Sequence, residues 1–192
     1  MTGTLNRPYT VDEYRDREQT AEQRHEYRNG AIVPMTGGSR SHNKIAANLL
    51  RLLDLDESYE VYLLDMRLWL PAVQRGTYPD LMVVSGEPRL TPGREDEILN
   101  PCLIIEVLSK STADYDRGDK FRYYASSPEL REYILVDQYQ PVIEQYVRTG
   151  EKGVDEWLLR RYTGLEGRVT FEAIALELRM KSIYRGISFD AS

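Results

Sequence analysis

The chain of 192 residues has few of the residues that build disulfide-linked or membrane-spanning proteins. It contains one cysteine, Cys102, so an internal disulfide is excluded and a cytoplasmic location is the default expectation. No apolar stretch reaches the roughly 20 residues that a membrane span requires. Residues 1–7 also lack the apolar core of a signal peptide. We therefore expect no membrane partner.

Histidine and serine-nucleophile motifs are equally scarce. Only His25 and His42 could act as a histidine base, and the chain has no Gly-x-Ser-x-Gly turn. An esterase, or another hydrolase with a serine or cysteine nucleophile, is therefore poorly supported. Phosphatase chemistry would usually need more His or Asp ligands than this sequence provides.

The chain also lacks an excess of positive charge. Its 25 Lys and Arg residues stand against 31 Asp and Glu residues, which gives a formal net charge of −6. This balance argues against tight, nonspecific DNA binding through bulk charge, although local basic clusters remain compatible with it. No internal repeat or shift in composition divides the chain, so we expect a single domain over residues 1–192.

Residues 102–109 form an apolar run that contains one carboxylate, Glu106. Its length and its branched side chains predict a central strand that is buried on both faces. An ionised glutamate there is costly unless it is paired or binds a metal. From this stretch alone, a core glutamate satisfied by an arginine is as good an interpretation as a functional acid.

A second short strand, predicted over residues 78–84, carries Asp80 at its start. Pro79 is tolerated there because proline is accepted at the first residue of a strand. Two adjacent strands that each hold one acid near an end can bring Asp80 and Glu106 together. Carboxylate oxygens of this kind suit magnesium or manganese.

A helix predicted over residues 113–125 adds further polar side chains. Asp116, Lys120 and Tyr124 recur at four-residue spacing, which places them on one face of the helix. An Asp, a Glu and a Lys that converge at a sheet edge are typical of phosphodiester cleavage. The acids would hold a metal that activates water, and the lysine would stabilise the developing charge.

Pro79-Asp80 followed by Ile105-Glu106-Val107-Leu108-Ser109 resembles the PD-(D/E)XK nuclease superfamily. The chain as a whole most closely resembles the Uma-type family of restriction-endonuclease-like proteins. The other matching stretches are Tyr9-Thr10, Glu26-Tyr27-Arg28-Asn29-Gly30, Ser41-His42-Asn43 and Glu132-Tyr133-Ile134-Leu135-Val136-Asp137. The resemblance implies an α/β fold: a restriction-endonuclease-like core with a mixed central β-sheet flanked by helices, an added N-terminal hairpin and a C-terminal β meander.

The resemblance also implies a function, namely a metal-dependent endonuclease that hydrolyses DNA phosphodiester bonds. Asp80 and Glu106 would bind Mg²⁺, with Mn²⁺ as a possible substitute, and Lys120 and Glu26 would complete the catalytic set. A homodimer is compatible with this activity, because cutting both strands needs two sites. The alternative is a nuclease-fold module that binds nucleic acid or a protein partner without cutting.

One position departs from the superfamily pattern and motivates that alternative. Leu108 stands where the superfamily places its lysine. In relatives the missing lysine is often supplied by the following helix, a location that Lys120 matches. Lys110 competes with it, because strand alternation would point residues 106, 108 and 110 the same way. We favour Lys120, because the segment around Lys110 resembles the end of the strand.

Two further polar residues receive structural interpretations. His42 opens a predicted amphipathic helix and is assigned a capping or packing role, since magnesium prefers oxygen ligands. Asp65 is expected to pair with Arg67 or a neighbour rather than to serve as a further acid. Both residues remain open as parts of the site.

The other predicted elements complete the sheet. Asn29-Gly30 predicts a hairpin, and alternation over Tyr59–Leu70 predicts the longest strand. Residues 86–100 are predicted as a loop, and strands at 132–136, 142–148 and 157–162 as a meander. The C-terminal segment 169–187 is expected to be a lid or a dimer surface.

Overall fold

The computed structural model describes residues 7–35, 37–110, 112–150 and 154–189 and shows a mixed α/β fold. Its helices are α1 (Val11–Gln19), α2 (Arg40–Leu52), α3 (Ala113–Tyr115), α4 (Phe121–Ala125) and α5 (Met180–Ile183). A π-helical turn, Asp116–Lys120, joins α3 to α4, so the helix predicted over residues 113–125 is confirmed with one widened turn. None of the helices in these ranges is long and apolar enough to cross a membrane.

Thirteen strands are present in the described ranges. They are β1 (His25–Arg28), β2 (Ala31–Pro34), β3 (Tyr59–Leu63), β4 (Arg67–Leu70), β5 (Arg75–Thr77), β6 (Leu81–Ser85), β7 (Glu97–Ile98), β8 (Leu103–Leu108), β9 (Glu132–Asp137), β10 (Val142–Arg148), β11 (Trp157–Thr163), β12 (Arg168–Phe171) and β13 (Leu176–Arg179). Short 3₁₀ turns at Pro71–Val73 and Glu172–Ile174 follow β4 and β12.

The central sheet has six strands in the order β11-β10-β9-β8-β6-β3. It is mixed, because β8 and β9 run parallel while its other neighbours are antiparallel. Every residue of β8 and β9 is buried, so the predicted central strand around Glu106 is confirmed. The predicted meander is also confirmed as β9, β10 and β11.

A second sheet of five strands has the order β2-β1-β5-β4-β7. The predicted hairpin is confirmed as β1 and β2, which are joined by Asn29 and Gly30 at φ values of 49° and 92°. Asparagine and glycine adopt such left-handed conformations most readily. A Cβ on Gly30 would also lie 2.5 Å from Cβ of Pro8.

Both faces of the central sheet are covered. One face packs against α2, α5 and the β12–β13 hairpin. The other face packs against α4 and strands β4 and β7 of the second sheet. Glu106 shares this second face with Ile104 and Leu108, because side chains alternate along a strand. The remainder of β8 is therefore apolar core around a single acid.

The long strand predicted over Tyr59–Leu70 is wrong, because the chain turns at residues 64–66. β3 joins the central sheet and β4 joins the second one. Arg67 is fully buried, with Nε 3.2 Å from Oε1 of the equally buried Glu97, rather than paired with Asp65. Glu97 lies on β7, a short strand inside the predicted loop 86–100, and β7 pairs in parallel with β4.

The C-terminal segment is part of the core and does not form the expected lid. Val169, Phe171 and Ile183 are fully buried on the α2 side of the central sheet. The side-chain amide of Asn48 on α2 donates to the carbonyl oxygens of Ile183 and Arg185, each at 2.9 Å. These bonds hold residues 183–185 against α2.

Candidate active site

All four residues that the sequence proposed for the site line one cavity of about 610 Å³. Glu26 lies on β1, Asp80 directly before β6, Glu106 on β8 and Lys120 in the π-helical turn. All four side chains are mostly buried. The cavity lies where the start of β6, the end of β8 and the first turn of α2 meet.

Asp80 immediately precedes β6, which pairs with β8 in a register that sets Leu81 opposite Ile105. This pairing brings Asp80 beside the end of β8, where the backbone N–H of Val107 donates to Asp80 Oδ2 at 2.7 Å. Nε2 of His42 lies 3.0 Å from the same oxygen. The strand pairing therefore places the two predicted acids on neighbouring strands at one point of the sheet.

Glu106 projects from β8 towards the helical segment. The hydroxyl of Tyr124 donates to Glu106 Oε1 at 2.7 Å, and Nζ of Lys120 lies 2.7 Å from the same atom. Burial raises the pKa of Glu106 to about 8. Lys120 opposes that shift, whereas the nearby carboxylates of Asp80 and Asp116 add to it.

Lys120 is surrounded by three carboxylates. Its Nζ lies 2.7 Å from Glu106, 3.6 Å from Asp116 and 3.9 Å from Glu26. Burial lowers the pKa of Lys120, but the three acids outweigh that effect and raise its pKa well above the ordinary value. The side chain is therefore a buried ammonium ion. Lys110, the competing lysine, is exposed, and its Nζ lies 5.3 Å from the ring centroid of Tyr139.

Glu26 enters the cavity from β1. Its Oε1 accepts a hydrogen bond of 2.7 Å from the Thr77 hydroxyl, and its Oε2 lies 2.7 Å from Nη2 of Arg28. Burial raises the pKa of Glu26, but Lys120, Thr77 and Arg28 together bring it below the ordinary value. Glu26 is consequently a carboxylate, and its Oε1 lies 3.9 Å from Nζ of Lys120.

Two further residues of this cavity have surroundings that the sequence did not predict. His42 was assigned to capping or packing, yet its Nε2 contacts Asp80, and its Nδ1 is buried without a hydrogen-bond partner in the described part of the chain. Asp116 was placed only on the helix face, and burial raises its pKa beside Lys120. Asp65, by contrast, is 87% exposed and lies 3.4 Å from Arg24, outside the cavity.

The donor atoms are suited to a hard divalent cation. In the ranges that the structure describes, no three His, Cys, Asp or Glu side chains are grouped closely enough to hold a metal ion by themselves. Magnesium, however, commonly binds through one or two carboxylates and completes its shell with water and substrate phosphates. Asp80 and Glu106 provide such a pair, so this cavity fits magnesium.

Comparison with known proteins adds three findings. A family model described as "Uma2: Putative restriction endonuclease" matches residues 11–181. The Synechocystis protein sll1609 is 39% identical over 165 residues, which cover 84% of this chain and 92% of the relative. A second Synechocystis protein, slr1290, is 35% identical over 181 residues, which cover 93% of this chain and 92% of the relative.

The third finding concerns the fold. The crystal structure of a "putative nuclease belonging to DUF820" from Anabaena variabilis matches with a TM-score of 0.70 at 18% identity. The match covers 92% of this chain and 98% of the other. At this level of identity the likeness is one of fold, and it extends over nearly the whole length of both chains.

Proposed function

The chain belongs to the Uma2 family, and from that premise we propose that it is a metal-dependent endonuclease that hydrolyses DNA phosphodiester bonds. One observation supports this proposal more than any other. Two acids on adjacent strands, Asp80 and Glu106, meet the buried ammonium of Lys120 in one cavity. A structural ion pair would not need a second acid beside it, whereas phosphodiester hydrolysis requires both metal ligands and a cation.

In this proposal Asp80 and Glu106 hold Mg²⁺, for which Mn²⁺ can substitute. When bound, such a cation polarises a phosphoryl oxygen and lowers the pKa of a water molecule. It would also favour the ionised form of Glu106, whose pKa burial otherwise raises to about 8.

Lys120 supplies the fixed positive charge of the proposed site. Because three acids keep it protonated, it can stabilise negative charge that develops on the phosphoryl oxygens. Glu26 lies 3.9 Å from its Nζ and would help to orient the ammonium. The lysine missing from position 108 is thus replaced, in this proposal, by one from the π-helical turn.

Cationic side chains beside the acids offer contacts for a DNA backbone despite the net charge of −6. Arg28 lines the cavity with its guanidinium 4.1 Å from the ring centroid of Tyr115, and Lys110 lines it beside Tyr139. Arginine and lysine bind phosphates, and exposed aromatic rings stack on bases. A homodimer, which would present one site to each strand of a duplex, stays a prediction.

The test is cleavage of a supercoiled plasmid and of a single-stranded oligonucleotide in Mg²⁺ or Mn²⁺. We expect the wild type to cut and Asp80→Asn and Glu106→Gln to lose detectable cleavage. Asp65→Asn is the matched control, because it removes one carboxylate that is exposed and lies outside the cavity. Circular dichroism verifies that each variant is folded.

Two outcomes would contradict the proposal. Undiminished cleavage by Asp80→Asn or Glu106→Gln would show that the acids are not the site. Absence of cleavage of both substrates by the wild type, in either cation, would favour the alternative of a module that binds nucleic acid or a protein without cutting.

A further inference from the structure

Within the described ranges, the close polar contacts of each candidate metal ligand converge on one of its two oxygens. We propose that His42 and Tyr124 are positioning residues that orient Asp80 and Glu106, so that the other oxygen of each carboxylate is directed to a divalent cation. This inference rests on the proposed function, because it assumes that the two acids are metal ligands. It assigns roles to two side chains that the proposed chemistry leaves unexplained.

At Asp80, both close contacts converge on Oδ2. The backbone N–H of Val107 donates to this atom at 2.7 Å, and Nε2 of His42 lies 3.0 Å away. No residue in the described ranges donates a hydrogen bond to Oδ1. A carboxylate fixed in this way retains one orientation and keeps Oδ1 for another ligand.

Glu106 shows the same arrangement with different donors. The hydroxyl of Tyr124 and Nζ of Lys120 both have their closest contact with Oε1, each at 2.7 Å. In the described part of the chain, Oε2 receives no hydrogen bond. Tyr124 is fully buried, so its hydroxyl acts on a substrate only through Glu106.

The side chains of His42 and Tyr124 are themselves held in place by their neighbours. The hydroxyl of Ser39 accepts a hydrogen bond from the N–H of His42 at 3.1 Å and fixes the first turn of α2. A Cβ on Gly38 would lie 2.8 Å from Nδ1 of His42, so the imidazole occupies space that only glycine leaves open. The Tyr124 ring packs edge-on against Tyr133 at a centroid distance of 5.3 Å. Both side chains therefore have little freedom to move.

Groups that hydrogen-bond to metal ligands set the orientation of those ligands, and their removal typically lowers metal affinity by about 10–100-fold. Tyr124→Phe removes only a hydroxyl, and His42→Phe keeps a ring of similar size while removing the nitrogen. Neither change deletes a proposed metal ligand. The variants should therefore weaken metal binding without abolishing it, which distinguishes them from Glu106→Gln.

The experiment is calorimetric titration of MnCl₂ into the DNA-free protein, a readout that does not depend on catalysis. We expect the dissociation constant for Mn²⁺ to rise by about 10–100-fold in Tyr124→Phe and in His42→Phe. Tyr184→Phe is the matched control for the tyrosine, because its buried hydroxyl donates at 2.7 Å to the carbonyl of Val142, away from the cavity. Its affinity should equal that of the wild type.

A second pair of variants tests His42 without changing it. Gly38→Ala places a methyl group against the imidazole and should weaken Mn²⁺ binding. Gly37→Ala is its control, because a Cβ there meets no atom within 4 Å. If Tyr124→Phe or His42→Phe fails to fold by circular dichroism, the Gly38→Ala comparison still decides whether the imidazole position matters.

The outcomes separate this inference from the proposed function. Suppose first that the wild type binds Mn²⁺ and Glu106→Gln does not. If Tyr124→Phe, His42→Phe and Gly38→Ala then bind Mn²⁺ as tightly as the wild type, the positioning role is overturned, while the nuclease proposal stands. If Mn²⁺ affinity falls in Tyr124→Phe but not in His42→Phe, or the reverse, the positioning role is confined to the affected residue and refuted for the other. If the wild type does not bind Mn²⁺, or Glu106→Gln binds it normally, both proposals are wrong.

Discussion

A buried acid away from the cavity, Glu132, should make the stability of this protein fall as the pH rises. Its side chain is fully buried on β9. One carboxylate oxygen accepts a hydrogen bond from Gln145 Nε2, and the other accepts one of 2.9 Å from the N–H of Ala173. Among the described residues no cation pairs with it, and burial raises its pKa from 4.5 to about 7.

The direction of the effect follows from the two protonation states. Below pH 4.5 the carboxyl is protonated in both the folded and the unfolded protein, so it does not change the stability. Above its raised pKa it is ionised in both, and only the folded protein bears the cost of burying the charge. The free energy of unfolding therefore decreases between about pH 4.5 and 7. A shift of this size corresponds to about 3 kcal/mol.

Urea unfolding at several pH values from about 4.5 to 8 measures this effect, with Glu132→Gln as the perturbation. Relative to the variant, the wild type should lose about 3 kcal/mol across the range, because the glutamine side chain of the variant cannot ionise. Glu166→Gln, a change at an exposed acid, should give a curve parallel to that of the wild type. Parallel curves for Glu132→Gln and the wild type would refute the reasoning.

Three further changes test the buried charges and the hairpin by chemical unfolding. Lys120→Met leaves buried Glu106 and Asp116 without their shared cation, which should lower the free energy of unfolding by about 3–5 kcal/mol at pH 7. The loss should be smaller at pH 4, where Glu106, whose pKa is raised to about 8, is protonated; an equal loss at both pH values would contradict this. Arg67→Met should lower the free energy of unfolding by about 1–3 kcal/mol, because buried Glu97 loses one arginine partner and keeps Arg15 and Arg94; an unchanged stability would refute that pairing. Gly30→Ala should lower the free energy of unfolding by more than about 1 kcal/mol, because φ of Gly30 is 92° and the added Cβ would clash with Pro8. A stabilised variant would contradict the hairpin geometry.

Local patterns in the sequence were sufficient to predict the strands that carry the two acids. The run around Glu106 is apolar on both sides of the acid, which is typical of a strand buried on two faces. Asp80 stands at the start of a similar run, and antiparallel pairing of the two strands brings the acids together. Lys120 could be proposed as the lysine of the site only because the resemblance to a known family was combined with its helical spacing.

Contacts between residues distant in sequence could not be predicted in this way. The alternation over Tyr59–Leu70 continues through the turn at residues 64–66, so the pattern gave no sign that β3 and β4 belong to different sheets. Arg67 is buried because Glu97, which lies far along the chain, compensates its charge. The contact of His42 with Asp80 likewise depends on how α2 packs against the central sheet.

The most direct test of the central claim is a crystal of the protein soaked in Mn²⁺, with diffraction recorded at a wavelength where manganese scatters anomalously. The account predicts an anomalous peak in the cavity, in contact with Asp80 and Glu106, that disappears in Glu106→Gln. A fully soaked crystal without a peak at these two carboxylates, from protein that cleaves DNA in Mn²⁺, would contradict it.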